Sequence, residues 1–162
     1  MPQNALIVRV MLHNGLRIGD AVALRVDQIR PQAWITEQKT GKRRRCGFPA
    51  ALRAAILAQT VPGNPWAFPG RKPGTHKTRQ AVWNDLKRAA WALRVPANVG
   101  THSARKVFAV ELYEKTGDLA AVQRNLDHEY VSTTLIYALA DELRRRNKTH
   151  HSQYKRRRSG GL

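Results

Sequence analysis

Cysteine, acidic residues and long hydrophobic runs are all scarce in this sequence of 162 residues. The single cysteine, Cys46, can form no disulfide within the chain and cannot build a metal site alone, so we expect neither disulfides nor zinc to hold the fold. No stretch approaches the roughly 18 apolar residues that indicate a membrane span. Residues 1–12 also lack the cleavage site of a secretion signal. We therefore expect a soluble, cytoplasmic protein with one compact domain.

The shortage of acidic residues leaves a large excess of positive charge. Only 11 Asp and Glu residues stand against 29 Lys and Arg residues, which gives a formal net charge of +18. Such an imbalance favours a polyanionic partner, and nucleic acid is the leading candidate. A ribosomal-type binding protein or a protein that binds anionic membranes would carry the same charge. The charge alone therefore does not decide between binding and catalysis.

Hydrophobic periodicity and turn signals predict a mainly α fold with one small antiparallel β-hairpin. The apolar run over residues 5–12 stops at Asn14-Gly15, which is typical of a helix end. Two strands are predicted over residues 33–37 and 44–48, around the turn Lys39-Thr40-Gly41-Lys42. Further helices are predicted over residues 18–24, 50–59, 77–93, 101–115 (with Thr101 as N-cap), 119–126 (capped by Asp118) and 132–146 (capped by Ser132).

Five short motifs supply candidate groups for breaking a DNA phosphodiester without a metal ion. That reaction needs a nucleophile, cations around the non-bridging oxygens, and an acid for the departing 5′ oxygen. In chain order the motifs are Gly15-Leu16-Arg17, Gln38-Lys39-Thr40-Gly41, His102-Ser103-Ala104-Arg105, Leu126-Asp127-His128 and Thr133-Thr134-Leu135-Ile136-Tyr137. Each residue alone has an ordinary structural explanation. Together, in this order and over nearly the whole chain, the motifs resemble those of the tyrosine recombinases of the phage-integrase type.

The resemblance implies the tyrosine recombinase catalytic-domain fold for residues 1–146, followed by a basic and flexible tail over residues 147–162. It also implies roles for six residues, which are the nucleophile Tyr137, the phosphate clamps Arg17 and Arg105, the general acid Lys39, the acid/base His102 and the phosphate donor His128. Lys42 is the alternative for the hairpin lysine. The family needs no cofactor and no metal ion for this chemistry.

The implied reaction begins with attack by the Tyr137 hydroxyl on a DNA phosphate. A tyrosine with a pKa of about 10 is a weak nucleophile at neutral pH, so it needs an electropositive site that favours the phenolate. The product is a 3′-phosphotyrosyl linkage and a free 5′ hydroxyl, and because the bond energy is kept, rejoining to another 5′ end needs no ATP. The resemblance therefore implies a site-specific recombinase or integrase, an enzyme of DNA recombination and DNA integration.

The expected partner is double-stranded DNA, contacted by the basic hairpin residues Lys42, Arg43, Arg44 and Arg45. In this family the segment after the nucleophile docks on a neighbouring protomer. The apolar stripe Leu139, Ala140 and Leu143 therefore indicates self-association as a tetramer on DNA. Family members normally carry an upstream DNA-binding domain, whereas only 16 residues precede Arg17. We therefore expect poor sequence discrimination by the chain alone.

Two alternatives remain open on the sequence. A type IB topoisomerase resembles the same constellation and would relax supercoils without exchanging strands between defined sites. A catalytically idle relative would instead occupy recombination sites and regulate a full-length recombinase partner. The sequence leaves open the target site and the kind of mobile genetic element, and we expect a nucleoid-associated protein in the cytoplasm of a bacterium or a phage-infected host cell.

Overall fold

The structure, a computed structural model, describes residues 2–95 and 99–126 of the chain. In chain order the elements are α1 (Pro2–Asn14), α2 (Ile18–Val22), a 3₁₀ turn (Val26–Gln28), β1 (Gln32–Thr36), β2 (Arg43–Gly47), α3 (Ala50–Leu57), α4 (Arg79–Ala92), α5 (Thr101–Thr116) and α6 (Leu119–Leu126). The predicted mainly α class with one antiparallel hairpin is confirmed. The helix predicted from Ser132 and the tail over residues 147–162 lie outside the described residues.

Helix α1 supplies the centre of the hydrophobic core. Its residues Leu6, Ile7, Val10 and Met11 are buried and belong to one core cluster with residues of α2, β1, β2 and α3. Residues of the segment between α3 and α4, such as Phe68, belong to the same cluster. The contacts divide the chain into two compact units, one ending at Phe108 and the other beginning at Ala109. Within the described ranges, no helix combines the length and the apolar character that crossing a bilayer requires.

A left-handed glycine ends α1, as the Asn14-Gly15 signal predicts. Gly15 has a φ of +64°, and its N–H donates to the Met11 carbonyl at 2.7 Å. The Phe108 ring lies against the Cα of Gly15, so a Cβ at this position would lie 2.6 Å from the ring Cε1. The turn buries Leu16 completely and places Arg17 immediately before α2. Both the conformation and the close approach therefore require glycine.

The hairpin pairs β1 with β2 in the register Gln32 to Gly47 through Thr36 to Arg43. Both strands begin one residue earlier than predicted. The turn is closed by the Glu37 N–H, which donates to the Lys42 carbonyl at 2.9 Å, and Gly41 provides the positive φ of +68°. Because successive side chains alternate between faces, Ile35 and Cys46 point into the core while Trp34 is exposed.

The structure corrects two predictions about the longer helices. Helix α4 begins at Arg79, two residues later than predicted, because the Thr78 hydroxyl accepts from the Ala81 N–H at 3.2 Å and caps it. It ends at Ala92, and Leu93, the predicted last residue, is 75% exposed. Thr101 is the first residue of α5 rather than its N-cap. Gly100 takes the cap position, since its N–H donates to the Ser103 hydroxyl at 3.0 Å and its carbonyl accepts from the Ser103 N–H at 2.9 Å.

The second unit is described as far as Leu126. Gly117, with a φ of +63°, ends α5 through a hydrogen bond from its N–H to the Tyr113 carbonyl at 2.7 Å. Asp118 then caps α6, and a hydrogen bond from the Ala121 N–H holds the pKa of the Asp118 carboxyl below its ordinary value. The predicted cap at Asp118 is confirmed, and α5 ends one residue later than the predicted residue 115.

Candidate active site

Four of the six predicted catalytic residues lie in the described part of the chain, all in the first unit. They are Arg17, Lys39, His102 and Arg105. His128 and Tyr137 lie outside the described residues. The geometry that follows is therefore that of the candidate phosphate-binding and proton-donating groups.

The two predicted phosphate clamps, Arg17 and Arg105, are brought together at the end of α1. Arg105 is only 5% exposed, and its Nη1 donates to the Gly15 carbonyl at 2.7 Å. Arg17 stands two residues after Gly15, and its side chain is 21% exposed. Burial, together with the nearby positive charge of Arg17, lowers the pKa of Arg105 to about 10. Two like charges are thus held close together, an arrangement suited to an anion that both can bind.

A buried carboxylate, Glu37, joins these elements. Its side chain is 2% exposed. Arg17 Nη1 donates to Oε2, the Thr40 hydroxyl donates to the same oxygen at 3.2 Å, and Arg44 Nη1 donates to Oε1 at 3.3 Å. Glu37 therefore links the segment after α1, the hairpin turn and strand β2.

A second carboxyl group, that of Asp20 on α2, lies in the same cluster. Its Oδ1 accepts from the Gln38 N–H at 2.9 Å, and among the described residues its buried Oδ2 has no hydrogen-bond partner. Burial raises the pKa of Asp20, while the charges of Arg17 and Arg105 act in the opposite direction. Asp20 therefore fixes the start of the turn that carries Lys39, because its partner Gln38 precedes that lysine.

The basic run of the hairpin divides between two faces. Arg44 points inward, where its Nη2 donates to the Asn14 carbonyl at 2.6 Å in addition to its contact with Glu37. Arg43 and Arg45 are exposed on the other face, and the Arg43 guanidinium lies 5.4 Å from the centre of the Trp34 ring. The geometry thus separates one arginine of the predicted DNA-binding run from its two neighbours.

Lys39 and Lys42 are both exposed on the hairpin turn. Lys39 lies between Gln38 and Thr40, whose backbone N–H and hydroxyl bind Asp20 and Glu37. Lys42 closes the turn through its carbonyl, which accepts from the Glu37 N–H. The choice of Lys39 over Lys42 as the general acid stays a prediction.

His102 is exposed in the first turn of α5 and lines a groove of about 520 Å³. The groove is also lined by Ile18, directly after Arg17, and by Arg79 and Trp83 of α4. A groove with an arginine and a histidine in its wall can accept an extended polyanion. The acid/base role of His102 stays a prediction.

The sequence motifs predict no role for Asp20 or Glu37, and Arg44 is predicted as a DNA contact. The signal that could have found Glu37 and Arg44 is the two-residue alternation of the strands. Glu37 follows the apolar Ile35 by two residues, and Arg44 precedes Cys46 by two, so both continue the inward face.

One cluster therefore contains three guanidinium groups and two carboxyl groups, and its net charge is positive. These groups belong to Arg17, Arg44, Arg105, Asp20 and Glu37. Such a cluster can hold the non-bridging oxygens of a phosphate and stabilise the added negative charge of a pentavalent transition state. Within residues 2–95 and 99–126, no group of three His, Cys, Asp or Glu side chains is arranged to hold a metal ion.

This chain is similar in sequence to proteins of a known family. The model of the phage integrase family matches residues 2–144. The chain is 31% identical over 135 residues to the probable integrase/recombinase YoeC of Bacillus subtilis, covering 81% of this chain and 74% of that protein. It is 31% identical over 158 residues to the tyrosine recombinase XerD of Brucella suis, covering 90% of this chain and 51% of the relative. The chain thus spans about half the length of this relative.

Solved structures resemble the same part of the chain. A XerH site-specific recombinase bound to a palindromic difH substrate, in a post-cleavage complex, matches with a TM-score of 0.69 and 22% identity, over 91% of this chain and 45% of that one. The catalytic domain of bacteriophage HP1 integrase matches with a TM-score of 0.56 and 23% identity, over 82% of this chain and 72% of that one. These likenesses show a shared fold.

Proposed function

We propose that this chain, which belongs to the phage integrase family, is the catalytic domain of a site-specific recombinase that cleaves and rejoins DNA strands. The observation that carries the proposal is the convergence of Arg17 and Arg105 on the end of α1, within a buried cluster that also fixes the hairpin turn. Two arginines that share a site repel each other, and Glu37 and Asp20 offset this only in part, because three guanidinium groups stand against two carboxyl groups. A phosphate diester is the anion that both could bind at once.

In the proposed cleavage step, Arg17 and Arg105 bind the non-bridging oxygens of the scissile phosphate. The Tyr137 oxygen forms a bond to phosphorus, the bond from phosphorus to the 5′ oxygen breaks, and Lys39 protonates that leaving oxygen. His102, as the acid/base, accepts the proton that the Tyr137 hydroxyl gives up, and His128 donates a hydrogen bond to the phosphate. Rejoining reverses these steps with a 5′ hydroxyl of another strand, so the reaction needs no external energy source.

The proposed partner is double-stranded DNA, which agrees with the net charge of +18. The XerH structures are of a recombinase bound to difH substrates, and a lambda integrase structure is of a dimer bound to a core site. Arg43 and Arg45 are proposed as phosphate contacts because they are exposed on the outer face of the hairpin. We further propose tetramer formation on DNA, a full-length recombinase as a possible partner, and a cytoplasmic, nucleoid-associated location.

Trapping a covalent protein–DNA adduct tests the proposal. A pool of duplexes with a nick near the cleavage position would be incubated with the full chain, so that cleavage releases a short oligonucleotide that diffuses away and the adduct accumulates. We expect an adduct that survives denaturing electrophoresis, is unaffected by EDTA, and is absent with Tyr137→Phe. No adduct from the folded wild type over the pool would overturn the proposal and favour an idle DNA-binding regulator.

The same assay separates strand exchange from relaxation. Adding a strand with a free 5′ hydroxyl should convert the adduct into a joined product on defined sequences. Relaxation of a supercoiled plasmid without any joined product would instead indicate topoisomerase-like chemistry.

A further inference from the structure

We propose that Glu37 is a positioning residue that holds Arg17 and the turn carrying Lys39 in one geometry. One carboxylate would then set both the phosphate clamp and the placement of the leaving-group acid. This inference rests on the proposed function, because it assigns Glu37 a part in that same cleavage step.

The first support is the pattern of contacts. Both carboxylate oxygens are used, Oε2 by Arg17 and by the Thr40 hydroxyl at 3.2 Å, and Oε1 by Arg44 at 3.3 Å. Arg44 in turn donates to the Asn14 carbonyl at 2.6 Å. A buried carboxylate with charge-assisted hydrogen bonds to three partners has little freedom to move. Its partners are fixed relative to one another.

The second support is that Arg17 keeps donors for a ligand. A guanidinium carries five N–H donors in a rigid plane, and the contact with Glu37 uses Nη1. The side chain of Arg17 is 21% exposed while that of Glu37 is 2% exposed. Glu37 therefore holds Arg17 from the buried side and leaves part of its fork open to solvent, where a phosphate could bind.

The third support is the link to the hairpin turn. The main chain of Glu37 closes the turn, since its N–H donates to the Lys42 carbonyl at 2.9 Å and its carbonyl accepts from the Gly41 N–H at 2.8 Å. Its side chain accepts from Thr40, the neighbour of Lys39. The direction in which Lys39 leaves the turn therefore depends on the same residue that orients Arg17.

A positioning role predicts a distinct kinetic signature. Glu37→Gln removes a negative charge beside Arg17, so the site attracts a phosphate at least as strongly as before. An amide offers only one acceptor oxygen, so it cannot hold Arg17, Thr40 and Arg44 together. We therefore expect slower cleavage at saturating DNA without weaker binding. A defect confined to DNA binding would instead indicate that Glu37 only supports the folded binding surface.

The experiment compares three variants of the full chain in single-turnover adduct formation. Glu37→Gln disturbs the set of contacts as a whole, because its NH2 group must face the donors of either Arg17 or Arg44. Thr40→Val leaves Arg17 bound to Glu37 and removes only the hydroxyl contacts within the turn, which are those with Glu37 and with the Lys42 N–H. Glu114→Gln changes the net charge equally at an exposed position of α5. A duplex captured by the wild type in the adduct assay is synthesised in two forms, one with the ordinary 5′ oxygen and one with sulfur at that bridging position. Sulfur leaves as an anion and needs no acid. Thermal melts identify any variant that does not fold.

On the oxygen substrate we expect Glu37→Gln to slow the saturated rate roughly 10- to 100-fold, the range for a misplaced binding group. Thr40→Val should slow it roughly tenfold, a fraction of the decades that a positioned general acid contributes. Glu114→Gln should match the wild type. On the sulfur substrate Thr40→Val should recover fully, whereas Glu37→Gln should recover only in part, because its Arg17 remains misplaced.

Several results would overturn the inference. The first is a wild-type cleavage rate for Glu37→Gln or Thr40→Val on the oxygen substrate. The second is a defect of Glu37→Gln that appears only as weaker DNA binding. The third is a cleavage rate of Glu37→Gln on the sulfur substrate that recovers either completely or not at all. If Glu37→Gln does not fold, a wild-type rate for Thr40→Val on oxygen, or its failure to recover on sulfur, still decides against the inference. An absence of any wild-type adduct would instead overturn the proposed function itself.

Discussion

Replacing Gly15 by alanine perturbs the turn on which both arginines depend. The φ of +64° costs a residue with a Cβ about 1–2 kcal/mol. The added methyl group would also lie 2.6 Å from Cε1 and 3.0 Å from Cγ of Phe108, well inside contact distance. Overpacking of this kind costs about 1–3 kcal/mol. We therefore expect Gly15→Ala to lower the free energy of unfolding by about 2–5 kcal/mol.

Gly63→Ala is the matched control for this change. Gly63 has a φ of +78°, and a Cβ there would meet nothing within 4 Å. The two substitutions restrict the unfolded chain equally, so their difference reports the Phe108 contact alone. We expect Gly63→Ala to lower the free energy of unfolding by about 1–2 kcal/mol only.

Urea unfolding followed by circular dichroism measures both values. The cost of Gly15→Ala should shrink when Phe108→Ala is already present, because the clash is then removed. Equal costs for Gly15→Ala and Gly63→Ala, with no coupling to Phe108, would refute the reasoning that close packing requires glycine at this turn.

The remaining predictions concern charge and proton transfer. Burial raises the pKa of Asp20 above its ordinary value. The stability contributed by its protonated form is therefore complete below about pH 4 and is lost as pH rises through the folded pKa. Because an asparagine does not titrate, the free energy of unfolding of Asp20→Asn should rise relative to that of the wild type over this pH range, and a difference that stays constant with pH would contradict the prediction. Arg43→Ala and Arg45→Ala should each reduce the log–log salt slope of DNA binding by about 0.9, as titrations at several salt concentrations would show. Lys39→Ala should slow cleavage by roughly two to four decades and recover on the sulfur-bridged substrate; recovery of Lys42→Ala alone would transfer the acid to Lys42. Light scattering of the DNA-free protein should show only weak self-association, and a tight tetramer would contradict the DNA-dependent assembly.

The parts of the fold that follow from local chemistry could be predicted from the sequence. Glycine readily adopts the positive φ that ends a helix. The ends of α1 and α5, at Gly15 and Gly117, could therefore be predicted from the sequence. The cap at Asp118 follows equally from its side chain. The pairing of Arg17 with Arg105 came from motif resemblance, because no local rule links residues 88 positions apart.

The parts that depend on register and tertiary packing could not be predicted in the same way. Strand alternation from Cys46 indicates that Arg44 turns inward, but only the observed structure shows that it binds Glu37 and the Asn14 carbonyl. Alternation from Ile35 likewise places Glu37 on the inward face, but its contacts with Arg17 and Thr40 depend on the tertiary fold. Leu93 fits a helical apolar stripe, yet it is 75% exposed because α4 ends at Ala92.

Locating the covalent linkage in the protein tests the central claim most directly. The chain has four tyrosines. Digestion of a trapped adduct with protease and nuclease leaves a nucleotide, joined through its phosphate, on the residue that attacked the DNA. Mass spectrometry of the peptides should place that group on Tyr137, and the released DNA strand should carry a 5′ hydroxyl. A linkage on Tyr113, Tyr130 or Tyr154, on a serine, or to a 5′ phosphate would contradict the account.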